Sequence, residues 1–431
     1  MTVDDTIFAV ASGAGRAAVA VLRISGPGTA ALIGGLCRHM PEPRRAALRV
    51  LRDGAGEVLD QALVLWFPGP ASYTGEDSAE LHLHGGSAVV DGVAERLASL
   101  GARPAEAGEF TRRAFLNGRM DLLQAEAVAD LIAAETSAQR RQAAQQLAGS
   151  LGAVYREWSA RLLRLLAQQE ALIDFPDEDL PLATEAAMLA EIGGLRRAVA
   201  AHLDDDRRGE RLRDGLVFAI AGAPNVGKST LINALAGREV AIVSAVPGTT
   251  RDVLEARMVF GGVPVTLLDT AGLRESSDAI EAEGVRRAQM RSAAADLLVL
   301  VRDQSQAVLP SPSAARTLMI ANKADLGGDA HKADLRISAL SGLGMDRLRA
   351  ALAAIARELT DAAGPPTLTR ARHRVALTEA VALLEQAQTA PLPELRGEDL
   401  RAALRCLGRI TGEVGAEDIL DSVFGQFCIG K

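Results

Sequence analysis

Residues 222–230, Gly-Ala-Pro-Asn-Val-Gly-Lys-Ser-Thr, carry the densest chemistry in the chain. The spacing G-x-x-x-x-G-K-[ST] suits a tight turn whose backbone N–H groups point inward at an anion, backed by the positive end of a helix. An ammonium at Lys228 then reaches β- and γ-phosphates, and the Ser229 hydroxyl ligates Mg²⁺. Asn225, Val226, Gly227 and Thr230 complete the cradle. The lysine is informative because the chain holds only four, Lys228, Lys323, Lys332 and Lys431, and uses arginine elsewhere. A compact ammonium fits between phosphates where a planar guanidinium does not.

Residues downstream choose the base. VTLLDTAG (265–272) places Asp269 where it holds a Mg²⁺-bound water. Thr270 and Ala271 lead to Gly272, whose amide meets the γ-phosphate. In Asn322-Lys323-Ala324-Asp325 the Asp325 carboxylate accepts both N1–H and N2–H₂ of guanine. Adenine lacks that donor pair and would leave the charge unmatched. Asn322 ties the loops together, and the stem of Lys323 covers the base. Ser338, Ala339 and Leu340 follow, with the Ala339 amide aimed at guanine O6. Between loop and switch, Ser244, Ala245, Val246, Pro247, Gly248 and Thr249 lead to Thr250, the second Mg²⁺ ligand. Five motifs in this order imply a GTP-binding domain.

Hydrolysis needs a group that positions water. The position after Gly272, where many GTP-dependent switches carry glutamine, is Leu273. A carboxylate from Glu275, Glu281 or Glu283 is the substitute. Arg251 and Arg274 are near in sequence, but neither is evidently an arginine finger. The side-chain oxygen of Asn225 suits a monovalent cation, which supplies the charge such a finger otherwise brings.

These side chains need a frame. LVFAIA (216–221), DLLVLV (296–301) and TLMIA (317–321) read as buried strands, and 228–237 and 345–359 as helices. That is a doubly wound sheet with the ligand at the strands' carboxyl ends. It occupies residues 211–365. Residues 121–172 have i, i+3, i+4 apolar spacing, and helical pattern resumes to about 210 and again over 369–388 and 398–421; 119–210 and 366–431 thus form two halves of one helical domain with the nucleotide domain inserted between them, two independent helical units being the alternative. DFPDEDLP (174–181) interrupts the first half. Residues 1–118 form an α+β domain with strand-like runs TIFAVAS, AVAVLRISG, QALVLWFP and SAELHLHG, and helices near 88–100 and 105–117. The class is thus multidomain α/β.

Glu80, His82 and His84 share a strand face. They suit a ligand pocket or interface better than a metal site, since nothing nearby has metal-ligand spacing. Net charge is −8, which argues against a protein dominated by nonspecific nucleic-acid binding. RRGERLR (207–213) is one local basic candidate; a solvated helix end or linker is the alternative. No segment has the roughly 18 apolar residues of a membrane span. No signal pattern is present. Three scattered cysteines, Cys37, Cys406 and Cys428, read as reduced thiols in the cytoplasm.

With these parts placed, the chain resembles, end to end, the MnmE (TrmE) family of tRNA-modification GTPases. The resemblance rests on DTIFAVAS and VLRISGP near the start, PASYTGEDSAELHLHGG (70–86), GEFTRRAFLNGRMDLLQAEAVADLI (108–132), the five nucleotide motifs and FCIGK (427–431). It implies a homodimer held by N-terminal domains that bind 5-formyltetrahydrofolate or a related folate. It also implies a flavoprotein partner, MnmG (GidA), in a heterotetramer. Together they add a carboxymethylaminomethyl or aminomethyl group to C5 of the wobble uridine in certain tRNAs, and K⁺ draws the GTPase domains together.

By resemblance, Asn225, Ser244, Val246 and Thr249 hold K⁺, and Ser229 and Thr250 hold Mg²⁺. Glu281 matches the family's catalytic glutamate. Arg23, Glu80, Arg119 and Lys431 form the folate pocket, with Arg119 standing where the family often has lysine. Cys428 matches a functionally important cysteine; a small buried thiol is the other reading of it. The competing functions are a regulatory or ribosome-assembly switch without tRNA chemistry, and a non-catalytic folate-binding scaffold.

Overall fold

A computed structural model describes residues 5–13, 15–174, 182–223, 225–237, 255–269, 295–302, 316–327, 333–361, 367–414, 417–425, 427 and 429–430. The chain divides into two compact units. One comprises 1–129, 146–189 and 382–431, and the other 130–145 and 190–381.

The first unit is built on a six-stranded sheet of β1 (Ile7–Val10), β2 (Ala17–Ser25), β3 (Ala47–Arg52), β4 (Val58–Phe67), β5 (Ser78–Gly85) and β6 (Arg103–Pro104). The order is β3-β4-β5-β2-β1-β6, antiparallel except for β1 beside β6. Alternation decides which face is covered. Ala62, Val64 and Trp66 of β4 are buried, while the neighbouring Gln61 and Leu63 are exposed. The covered face packs on helices Thr29–Leu36 and Ser87–Ser99, where Leu32, Ile33, Val93 and Leu97 meet Leu22, Ile24, Leu81 and Leu83. Four of these strands are predicted from the sequence. β3 is not, because Arg49 and Arg52 interrupt its apolar run. β6 is two residues long and contains Pro104, tolerated at a sheet edge where no ladder N–H is needed.

The helical part of this unit centres on Ser150–Asp174. Tyr155, Trp158, Leu162 and Leu165 lie along one buried stripe. That helix packs against Pro393–Thr411. Buried Arg396 spans between helices, donating to Glu185 Oε1 at 2.9 Å. The helical pattern over 121–172 resolves into Leu122–Ala133, Ser137–Leu147 and Ser150–Asp174. The pattern over 398–421 likewise divides: one helix ends at Thr411, Gly412 N–H closes on Gly408 O at 2.9 Å, and Glu417–Phe424 follows.

The second unit holds β7 (Leu216–Ala221), β8 (Glu255–Phe260), β9 (Val263–Asp269), β10 (Leu297–Arg302), β11 (Thr317–Ala321) and β12 (Leu335–Arg336). The order is β12-β11-β10-β7-β9-β8, and only β8 runs antiparallel. The central strands read as near-continuous apolar runs because helices flank the sheet. Phe218 and Phe260 stack with ring centroids 6.5 Å apart, amid Leu267, Val299, Ile320 and Leu348. β8 is absent from the sequence reading. Its signal was Gly261-Gly262, both at positive φ, which forms the two-residue hairpin to β9.

RRGERLR does not present a free basic face. Arg207 pairs with Glu210, Arg211 with Asp296 and Arg213 with Asp130, and Arg208 donates to the carbonyls of Asp205 and Asp361. Arg374 binds both Asp205 and Glu210 from the second helical half. The segment is a connector held by ion pairs, which corrects its reading as a basic patch.

Candidate active site

The second unit's sheet brings its motifs to the carboxyl ends of its inner strands. Ile220 stands in register with Asp269, so β7 and β9 finish side by side. Beyond Ala321, Asn322 donates its N–H to Arg302 O at the end of β10. The loop after β7 and helix Lys228–Ala236 therefore sit between two acidic or amide-bearing strand ends.

Lys228 is only 5% exposed, and its ammonium donates to Gly222 O and Ala223 O, each at 2.8 Å. The loop thus wraps its own cation and concentrates positive charge at the helix N-terminus. Gly222 is required by close approach: a Cβ there would stand 2.2 Å from Val301 O. Ser229 Oγ donates to Asp269 Oδ2 at 3.3 Å, and Asp269 is buried. A hydroxyl beside a buried carboxylate is a donor set suited to a hard divalent cation. Asn225 is exposed at the loop surface in left-handed backbone (φ 63°), which asparagine tolerates.

Asn322 is 3% exposed and joins two loops. Its Nδ2 donates to Val226 O at 2.8 Å, and its Oδ1 accepts from Ala339 N–H at 3.0 Å. The Ala339 amide expected at guanine O6 is thus held by Asn322, because a buried N–H takes the nearest acceptor. Lys323 lies in left-handed backbone at the start of a short turn, Ala324 N–H bonds Ile337 O, and Asp325 presents an exposed carboxylate. Ser338 is fully buried and its Oγ accepts from Ser341 N–H, while Leu340 is exposed. Gly227 and Val226 line the turn and Thr230 is exposed on the helix. Ser244, Ala245, Val246, Pro247, Gly248, Thr249, Thr250, Thr270, Ala271, Gly272, Glu275, Glu281 and Glu283 lie outside the described residues.

In the first unit, Arg23 and Glu80 meet across the β2–β5 register, with Nη2 2.9 Å from Oε1. The Arg23 guanidinium also lies over the Tyr73 and Phe110 rings, 5.3 and 5.8 Å from their centroids. It is held as a half-buried cation. Arg119 is exposed and its stem runs beside Gly75. His82 Nε2 is 3.5 Å from Glu80 Oε2, and His84 Nδ1 is 2.7 Å from Asp60 Oδ1. Burial raises the Asp60 pKa, but bonds from His84 and the Gln61 amide bring it below the ordinary carboxylate range. No group of three His, Cys, Asp or Glu side chains among the described residues is placed to hold a metal.

Ile429 pairs antiparallel with Ala107, and Gly430 sits against Val10, so the segment before Lys431 returns to the N-terminal sheet. Cys428 and Lys431 themselves lie outside the described residues.

A charge network in the same unit has no counterpart in the sequence reading. Arg113 donates to Asp5 Oδ1 at 2.6 Å and Glu109 Oε1 at 2.9 Å; Arg103 donates to Asp5 at 2.6 Å and Glu109 at 2.6 Å. Glu76 approaches Arg113 and accepts from Ser25 Oγ at 2.8 Å. The available signal was the i, i+4 pair Glu109 and Arg113 within GEFTRR.

Among the described residues no helix is long and apolar enough to cross a membrane. The MnmE helical domain matches residues 122–428, and the N-terminus of the GTP-binding protein TrmE matches residues 6–119. A tRNA modification GTPase MnmE of Gluconacetobacter diazotrophicus is 59% identical over 430 residues, covering 99% of this chain and 98% of its own. One of Granulibacter bethesdensis is 56% identical (99% and 100% covered), and one of Rhodospirillum rubrum is 54% identical with both chains fully covered. With a phosphate loop inserted between two helical segments and a match along the whole length, the chain belongs to the MnmE family of tRNA modification GTPases.

Proposed function

We propose that the chain is a K⁺-stimulated GTP hydrolase that acts in the cytoplasm with a flavoprotein of the MnmG (GidA) kind. Together they add a carboxymethylaminomethyl or aminomethyl group to C5 of the wobble uridine of tRNAs. The observation that carries the GTPase half is the convergence of Lys228, Ser229, Asp269 and Asn322 at the carboxyl ends of the inner strands. Similarity along the whole chain to relatives named tRNA modification GTPases supports the other half.

Lys228 gathers the β- and γ-phosphates, and Asp325 selects guanine. Ser229 and Thr250 hold Mg²⁺, which when bound neutralises charge developing on the transferred phosphoryl group. Asn225 of the phosphate loop would hold K⁺, and Ser244, Val246 and Thr249 would complete its shell from the loop over the nucleotide. Glu281 orients the attacking water. Arg23 and Glu80 of the N-terminal domain, with Arg119 and Lys431 of the helical halves, take 5-formyltetrahydrofolate. The Arg23 fork, oriented by Glu80, suits a folate's glutamyl carboxylate. Cys428 stands three positions before Lys431 in the terminal FCIGK motif. The domains are assigned as 1–118, 119–210, 211–365 and 366–431, in a homodimer held by the first.

GTP turnover by the purified chain is expected to be faster in KCl than in NaCl of equal ionic strength. Equal rates remove the cation from the reading. In tRNA from a strain lacking the gene, nucleoside analysis is expected to show an unmodified C5 at the wobble uridine. A fully modified uridine there removes the tRNA chemistry.

A further inference from the structure

A cavity of about 430 Å³ opens at β3, the outer strand of the N-terminal sheet, and belongs to neither site above. Arg38, His39, Arg49 and Arg52 line it beside Leu48 and Val50. Arg49 and Arg52 are three positions apart, which on a regular strand sends them to opposite faces. Both nonetheless line the same cavity, next to a register shift whose unpaired residue, Leu59, lies on the neighbouring β4.

Their bonding differs from that of many arginines elsewhere among the described residues, although Arg96 and Arg208 also bond only neutral acceptors. Arg23, Arg103, Arg113, Arg211, Arg213 and Arg374 all pair with carboxylates. Arg49 bonds only the carbonyls of His39 and Leu48, Arg52 only that of Gly56, and Arg38 makes no hydrogen bond or ion pair among the described residues. Of the nearby acids, Asp53 accepts from the Ala55 and Glu57 amides, and Glu42 pairs with Arg45. Residues 38–52 hold five arginines and one acid, a formal +4 within a chain of −8. Leu48 is 55% and Val50 37% exposed between the cations.

We infer that this edge takes the phosphate backbone of an RNA. Guanidinium forks match phosphate oxygens, and cations spread along an open strand suit a linear polyanion better than one small enclosed anion. Exposed leucine and valine between them offer apolar footing to sugars. The inference rests on the reading of tRNA as the chain's substrate; it supplies the basic surface that RRGERLR does not. Arginines on an outer strand also discourage edge-to-edge pairing, and that role alone predicts no RNA phenotype.

The test is fluorescence anisotropy of unmodified tRNA with the full chain, across roughly 50–200 mM KCl. Arg38→Gln with Arg52→Gln should weaken binding about 10-fold and lower the log–log salt slope by roughly 1.4–1.8, since each lost phosphate contact removes about 0.7–0.9. Arg38→Lys with Arg52→Lys should retain most of the slope. GTP turnover should stay unchanged in both, which reports an intact fold. Unaltered affinity and slope in the glutamine variant overturn the inference while leaving the tRNA reading standing. Weaker binding that coincides with a changed oligomeric state also overturns it, as the edge is then a contact between copies. A wild-type chain that does not bind tRNA removes both the inference and tRNA as a direct partner.

Discussion

Lys228→Ala lowers kcat for GTP by at least about 10²-fold, the usual loss when one preorganised charge facing a developing oxyanion is removed. The expectation follows from how the ammonium is held. It is nearly fully enclosed, and the carbonyls of Gly222 and Ala223 fix it inside the turn. A cation set in place before reaction needs no reorganisation during it. Lys228→Arg should not restore the rate, because a planar fork cannot occupy a space shaped by two carbonyls 2.8 Å from one nitrogen. Phosphate release at saturating GTP is the measurement, with melting temperature as the control for folding. Turnover within a few-fold of wild type in the alanine variant would mean that Lys228 does not face the transferred phosphate.

Glu109→Gln is the larger expected effect on stability. Glu109 is 2% exposed and receives both Arg103 and Arg113, as well as the Glu106 amide at 2.9 Å. Removing one partner from a buried ion network leaves the others uncompensated, at a cost of about 3–5 kcal/mol. Burial alone would raise the Glu109 pKa, but the bonds from Arg103, the Glu106 amide and Arg113 bring it below the ordinary carboxylate range. Asp5 behaves alike: burial raises it, and Arg103 with Arg113 bring it down. A carboxylate whose folded pKa is depressed contributes stability that is fully present above its unfolded value, about 4, and lost as pH falls through the folded value. Urea midpoints for the wild type should therefore decline below about pH 4. Glu109→Gln should start lower and decline less steeply. Parallel acid limbs for the two proteins would place the source of acid sensitivity elsewhere.

The two units differed in how much of them could be read beforehand. The nucleotide sheet was legible because phosphate chemistry constrains residue type and spacing together, as at Lys228, Asp269 and Asn322, and because its inner strands are apolar runs. β8 was not read although Gly261-Gly262 announced a hairpin. β3 escaped because Arg49 and Arg52 interrupt an edge strand whose exposed side tolerates charge. The pairing of Ala339 N–H with Asn322 depends on which acceptor lies nearest in space, which no spacing rule encodes. Asp5, Glu76, Arg103, Glu109 and Arg113 converge from four separate segments, so only tertiary structure shows them as one network. Arg23 and Glu80 were named as partners in a pocket, but the rings of Tyr73 and Phe110 that fix the cation were not.

The helix Glu417–Phe424 joins Phe115, Leu122 and Ala125 in a single apolar cluster, through Leu420, Val423 and Phe424. On a ribosome adding about 5–20 residues per second, Phe424 is made roughly 15–60 s after Phe115. Through that interval the apolar side of the first-made helices has no native cover. Chaperones recognise such surface, and a stalled chain would keep it open to them. Completion of the cluster around Phe115 and Leu122 is thus timed by the helix Glu417–Phe424, with the whole nucleotide domain synthesised in between.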